Sequence, residues 1–284
     1  MAHSSVRDRQ YTYAVGWSGV AGLMLWLYGR DMLVMVSRWA SEPEASHGFL
    51  VPAASAAVVW LRRSQLASVP RFVWRWGLVP FIFGLALTIL AESAQVVFLR
   101  PVAMLIVLGG ILLYAFGPKL FTQILFPYAF LYFMIPWPDF LVELVSFPLQ
   151  LLTSTYAAMV AGLLGIPIRR EGIGLYAPGF AVTVAAACSG LRSMMAVMAL
   201  AAIFAYFARA SLWKRCLLFL CGIPVALIAN VVRVTLVLLV GLYWSKQVAV
   251  GMFHDYSSPV LVALCSLLMA ALQRVMTECP RQTT

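Results

Sequence analysis

Apolar residues run through this chain in long unbroken stretches, separated by short polar clusters. Neither the alternation of a half-buried strand nor the one-sided stripe of a soluble helix produces stretches of that length. Bilayer-crossing helices do, because a hydrocarbon core of about 30 Å needs roughly 20 apolar residues. Eight spans are predicted, at 12–29, 48–61, 76–92, 96–116, 119–135, 189–208, 213–242 and 258–274. The second is short for a bilayer and is expected to start below its surface. The seventh would be about 45 Å long at 1.5 Å per residue, so it projects past the lipid or kinks at Pro224. The first apolar run, Tyr11 to Tyr28, lacks a small-residue cleavage site and reads as an anchor.

One connection is long, residues 136–188. From Asp139 to Leu164 it is apolar at helical spacing around Pro148, which predicts a helix lying in the interface or a re-entrant pair. From Ile168 to Val184, Gly172, Gly174 and the pair Pro178-Gly179 punctuate β-branched and aromatic residues, which predicts a short β-hairpin. No repeat, low-complexity tract or linker interrupts the chain. The expectation is one membrane domain over residues 1–284, an all-α polytopic helix bundle with a small interfacial segment.

Composition closes other classes. Of the 284 residues, 63% are hydrophobic and 11% charged, against about 25% charged in soluble domains. A water-soluble enzyme is excluded, as is a disordered chain. An outer-membrane barrel needs strands that alternate apolar and polar over about ten residues, and these are missing from the sequence. The net charge of +10 does not point to nucleic acid, because the basic residues are scattered through short loops. They set topology instead. One side would hold Arg7, Arg9, Arg62, Arg63, Arg71, Arg75, Lys119, Arg209, Lys214, Arg215, Arg274 and Arg281. The other would hold Arg30, Arg38, Arg100, Arg169, Arg170 and Lys246, with every acid except Asp8 and Glu278. The basic side is expected in the cytoplasm with both termini, leaving 30–47, 93–95, 136–188 and 243–257 outside.

Candidate chemistry gathers on that outer face. Ala187-Cys188-Ser189-Gly190-Leu191-Arg192-Ser193 sits where a loop becomes a helix. A helix N-terminus presents free N–H groups and partial positive charge, and both stabilise a thiolate. Arg192 could reinforce the effect, and Ser189 or Ser193 could cap the helix. A small packing residue would suit the same position. Asn230 and Arg233 share one face of the seventh span. An arginine there either faces a polar site shared with Asn230 or snorkels to headgroups. His254 precedes the last span and is either an acid–base partner for a thiol or an interfacial histidine. His47 lies on the same face. The five cysteines form no CxxC pair and no zinc pattern.

Together Cys188, Arg233 and His254 have the layout of an acyl-transfer site: nucleophile, oxyanion stabiliser and base. At these residues the sequence resembles the exosortase/archaeosortase family, and its bacterial branch in particular. The likeness rests on Ala187-Cys188-Ser189-Gly190, on Asn230-Val231-Val232-Arg233-Val234 and on His254 before the last span. Ser46-His47-Gly48-Phe49-Leu50-Val51-Pro52 is similar to the family's early motif. One departure follows His254, where Ser257-Ser258-Pro259 replaces a glycine frequent in relatives. The C-terminal domain that some relatives carry is not expected here.

The resemblance implies a membrane cysteine protease or transpeptidase of the bacterial inner membrane, with its site facing the periplasm. Cys188 would form a thioester, Arg233 would hold the oxyanion and His254 would move the proton, with His47, Asn230, Arg192 and Ser189 supporting. Implied substrates are secreted proteins ending in a Pro-Glu-Pro-like motif, a transmembrane helix and a basic tail. The acceptor would be water or an amine or hydroxyl, on a surface polysaccharide or a membrane lipid; no metal, cofactor or nucleic acid is called for. Two alternatives stand beside it. A non-enzymatic component of exopolysaccharide synthesis or export would not need Cys188. A small-molecule transporter would need polar residues along a path through the membrane, whereas here they gather at one face.

The charge pattern yields a topology test. In a variant lacking the native cysteines, a single cysteine placed within 64–70 should resist a membrane-impermeant thiol reagent until cells are permeabilised. One placed within 245–250 should react in intact cells. The reverse pattern would invert the orientation.

Overall fold

Inside lipid no water satisfies backbone N–H and C=O groups, so a chain this apolar must bond them internally, as helices do. A computed structural model describes residues 2–177, 180–184, 190–244 and 254–277, and the side chains of all of these except 2–15, 43–44, 180, 192 and 254–259. Its helices are α1 (Ala2–Ser41), α2 (Leu50–Leu61), α3 (Arg63–Ala67), α4 (Leu78–Ser93), α5 (Leu99–Phe130), α6 (Asp139–Leu163), α7 (Leu191–Phe207), α8 (Leu212–Tyr243) and α9 (His254–Thr277). A 3-10 turn, Pro43–Phe49, precedes α2. Strands β1 (Arg169–Glu171), β2 (Gly174–Ala177) and β3 (Phe180–Thr183) lie between α6 and α7. The protein is thus a polytopic helical membrane protein, as the apolar pattern predicts. Among the described residues, six helical segments are long and apolar enough to cross a membrane.

The chain divides into two compact units, Met1–Ser41 with Ala54–Pro136, and Glu42–Ala53 with Trp137–Thr284. In the first, α5 is two helices rather than one. Gly117 has φ 79° and ψ 168°, a conformation open to glycine, and the chain reverses there. Tyr128 in the second arm donates to the Leu105 carbonyl in the first at 2.8 Å. The predicted spans 96–116 and 119–135 are therefore separate arms of a hairpin. The first arm also packs antiparallel on α4, and glycines set the spacing. Positions 77, 84 and 110 lie against Tyr114, Val107 and Phe81 respectively. Lipid tails are as apolar as leucine, so membrane helices associate through close packing of small residues.

Polar contacts fasten α1 to this hairpin. Tyr28 and Thr88 hydroxyls are 2.7 Å apart. Arg100 holds the Asp31 carboxylate with two bonds, at 2.8 and 3.0 Å, and also pairs with Glu92. Trp39 donates to the Met134 carbonyl at 2.8 Å. At the opposite end of the unit, Trp17 stacks on Phe116 and Trp74 bonds the Tyr114 carbonyl, beside Arg71, Arg75 and Lys119. The separation of basic and acidic ends expected from sequence is present within this unit.

The second unit is built on α8. Every fourth residue along it, Leu218, Gly222, Ala226, Asn230 and Val234, is buried. Ala201 of α7 lies against Gly222, while Leu218 shares a cluster with Ala205 and Met269, and Ala226 one with Val197 and Leu261. Both α7 and α9 therefore run antiparallel to α8. At their C-terminal ends, Lys214 donates to the Met276 carbonyl at 3.0 Å and Arg215 to that of Ala210 at 3.1 Å. Lys214 thus satisfies a carbonyl that the end of α9 leaves without a partner, and Arg215 one in the loop that follows α7. The 136–188 segment differs from expectation in two respects. Residues 139–163 form one continuous helix, not a re-entrant pair, long and apolar enough to cross a membrane. The hairpin gains a third strand, because Gly172 (φ 58°) turns β1 back onto β2 as well: Arg170 faces Leu175, and Leu175 faces Val182.

A Cβ on Gly110 would lie 2.5 Å from the Phe81 nitrogen, whereas one on Gly22 would have nothing within 4 Å. Gly110→Ala should therefore cost about 1–3 kcal/mol by overpacking, and Gly22→Ala nothing. Thermal unfolding in detergent checks this; equal midpoints for the two variants would contradict the packing.

Candidate functional site

Helix α7 begins one residue later than a serine cap at 189 would place it. Its N-cap residue is Gly190, in the left-handed conformation (φ 88°), with no side-chain cap. Ser193, an expected alternative cap, instead donates to the Gly190 carbonyl at 2.9 Å. The reason for glycine is steric as well as conformational. A Cβ at 190 would lie 2.7 Å from both Cγ and Nδ2 of Asn230, so the start of α7 rests directly on that side chain.

Asn230 is held from the other side by α6. Its Nδ2 donates to Thr153 Oγ1 at 3.0 Å, and both residues are 1% exposed. Thr153 was not singled out by sequence reasoning. The signal was there, since Ser146, Gln150, Thr153 and Ser154 occupy one helical face of an otherwise apolar segment and are all buried. Ser154 extends this polar face by donating to the Gly172 carbonyl at 3.1 Å, which ties α6 to the turn between β1 and β2.

Arg233 lies one turn beyond Asn230 on α8 and is 4% exposed. Its side chain is inside the protein rather than extended to the surface, which removes the snorkelling alternative. Around that level, Val234, Val237 and Leu238 pack with Ala157, Leu175 and Val184, so α6 and the sheet enclose this stretch of α8. His47 sits half-buried in the 3-10 turn Pro43–Phe49, which packs against α7.

His254 is the first residue of α9, and its side chain is outside the described ones. Because α9 runs antiparallel to α8 and Leu261 packs near Ala226 and Ala229, the helix start lies about 10 Å further along, toward the level of Arg233. Arg192 belongs to the first turn of α7, without a described side chain. Cys188 and Ser189 lie outside the described residues. The structure thus brings Gly190, Asn230 and Thr153 into contact, with Arg233 buried one turn away and the start of α9 at the same end. Among the described residues, no group of three His, Cys, Asp or Glu side chains could hold a metal ion.

The family model of transmembrane exosortases matches residues 39–271. No curated protein and no solved structure matches the chain.

Thr153→Val would take away the acceptor that Asn230 bonds and should cost about 1–3 kcal/mol. Gly190→Ala combines left-handed strain of about 1–2 kcal/mol with the clash on Asn230, and should be the worse of the two. Unfolding of the purified variants checks the order; wild-type stability in Gly190→Ala would disprove the contact.

Proposed function

The chain belongs to the transmembrane exosortase family, and on that premise we propose that it is a cysteine protease or transpeptidase acting at the extracytoplasmic membrane face. Its substrates are secreted proteins that end in a sorting signal, a Pro-Glu-Pro-like motif followed by a transmembrane helix. The observation that carries this reading is the Gly190–Asn230 contact beside a buried Arg233. Cys188 is two residues before Gly190, and two residues of chain reach no more than about 7 Å. On this reading the thiol acts near the level of α8 that carries Asn230 and Arg233.

The steps follow from the residue chemistry. His254 takes the proton of Cys188, and the thiolate attacks the scissile carbonyl near the motif. The carbonyl oxygen becomes an oxyanion, which the Arg233 guanidinium stabilises. Fixed donors in a water-poor site act strongly because they need no reorganisation when charge develops. Collapse breaks the C–N bond, and the imidazolium gives its proton to the leaving amine, releasing the helix and tail. The acyl group stays on Cys188 as a thioester. Water, or an amine or hydroxyl acceptor, then attacks it; its proton goes to His254 and the thiolate departs. Asn230 and Thr153 act indirectly, fixing where the Gly190 turn sits and hence where the cysteine is presented. By the charge rule the end of the second unit that carries Arg209, Lys214 and Arg215 belongs in the cytoplasm, and the start of α7, at the other end of that helix, belongs outside.

Co-expression with a secreted reporter carrying such a signal tests the proposal. Cys188→Ala should abolish processing while the protein stays membrane-inserted. Arg233→Lys keeps the charge but loses the planar fork of donors, and should reduce processing at least tenfold, about 1.4 kcal/mol of transition-state stabilisation. Normal processing by an inserted Cys188→Ala protein would rule out the enzyme.

A further inference from the structure

We propose that the first unit carries a groove for an anionic phospholipid, its acyl chains lying between α1 and the α4–α5 hairpin and its phosphate against Arg71. The groove is a cavity of about 1110 Å³, above the range of about 300–1,000 Å³ usual for small-molecule sites. Val20 and Leu27 of α1 form one wall, and Leu85, Val107 and Ile111 form the other. Along α1 it extends from Gly16 to Leu27, about 16 Å of helix. That is the depth of one leaflet, half of a hydrocarbon core of about 30 Å.

The occupant is selected by charge. Among the described residues, one charged side chain lines the groove, Arg71, at its mouth. The Arg71 guanidinium lies 5.8 Å from the ring centroid of Phe116, which in turn stacks on Trp17 at 5.2 Å. Arg75 and Lys119 lie at the same end. The described carboxylates of this unit, Asp31 and Glu92, are both taken by Arg100 at the opposite end. A cationic mouth over an apolar slot fits a negative headgroup with its chains below, the chemistry of basic pockets between membrane helices. A neutral helix would leave the mouth without a counter-charge, and a peptide with a basic tail would be repelled by it. Ordinary lipid coats every apolar face of the protein, but only a recess with a charged mouth selects a headgroup.

Native mass spectrometry of the full chain in detergent tests this, with phosphatidylglycerol and phosphatidylcholine added at equal concentration. One phosphatidylglycerol should remain bound in preference to phosphatidylcholine. Arg71→Gln should cut that preference about fivefold, the effect of one arginine near a charged lipid surface. Arg63→Gln, at the same end but outside the groove, should leave it unchanged. Ala115→Trp, which fills the groove, should remove the retained lipid, and Val20→Trp repeats that test from the opposite wall should the first variant fold poorly. Equal binding of the two lipids would overturn the proposal. So would equal losses in Arg71→Gln and Arg63→Gln, which would mark a diffuse basic surface. Groove-filling variants that keep the lipid but lose self-association in crosslinking would assign the groove to a second copy of the chain and also overturn it.

Discussion

A backbone can rest on a buried side chain only where no Cβ intervenes, and Gly190 meets that condition against Asn230. Much of the second unit is arranged around this contact. The left-handed turn at Gly190 lets α7 start with its first turn directly against α8, and the antiparallel pairing of the two helices then follows the small and medium residues Gly222, Ala226 and Asn230. Thr153 fixes Asn230 from α6. Three helices are thereby locked at one level of the bundle, the level at which Gly190, two residues after Cys188 in the sequence, caps α7. Replacing the glycine would separate α7 from α8; replacing the asparagine would leave a gap under the turn.

The first unit solves the same packing problem with different means. Its glycines bring α4 and α5 together along their length, and its polar contacts, Tyr28 to Thr88 and Asp31 to Arg100, lie toward one end. A buried pair such as Asp31 and Arg100 is weak evidence for net stability, because desolvation offsets much of the attraction. It is stronger evidence for register: Arg100 keeps Glu92 of α4 wherever α1 sits, but α1 can slide along the hairpin only by leaving the buried Asp31 carboxylate without its partner. Packing sets the distance between these helices, and the charges set their offset.

Apolar length made most helices legible in the sequence, since nothing else in a protein needs twenty such residues in a row. The hairpin at Gly117 was legible too, because a glycine-proline pair separates two apolar runs. The helix 139–163 was less so. Pro148 within it suggested a break, yet a proline removes one backbone bond and bends a helix without ending it when neighbours hold both halves. The third strand was missed because Gly172, Gly174 and Pro178-Gly179 were read together as the punctuation of one short hairpin, whereas Gly172 makes a turn of its own between β1 and β2. Of the site, Asn230 and Arg233 could be read as polar residues that an apolar helix has no other reason to carry. Thr153 could not be read alone, since a threonine in a membrane helix commonly bonds its own backbone. Its partner is 77 residues away, a separation that no local pattern reveals.

Arg233 shows why the polar face of α6 belongs to the same account. A guanidinium kept inside a membrane protein is tolerable where polar groups or water replace its hydration. The surrounding stretch of α8 is otherwise packed by Val234, Val237, Leu238, Leu175 and Val184, which replace none of it. The residues of α6 differ in kind: Ser146, Gln150, Thr153 and Ser154 bring hydroxyl and amide groups into the interior of the same unit. Each would be a liability on a helix whose only task was to pack, because small apolar residues would fill the space without burying polar atoms. A buried polar stripe on α6 and a buried arginine on α8 both put polar groups inside the same apolar unit, so a polar interior is a property of this fold and not of one residue.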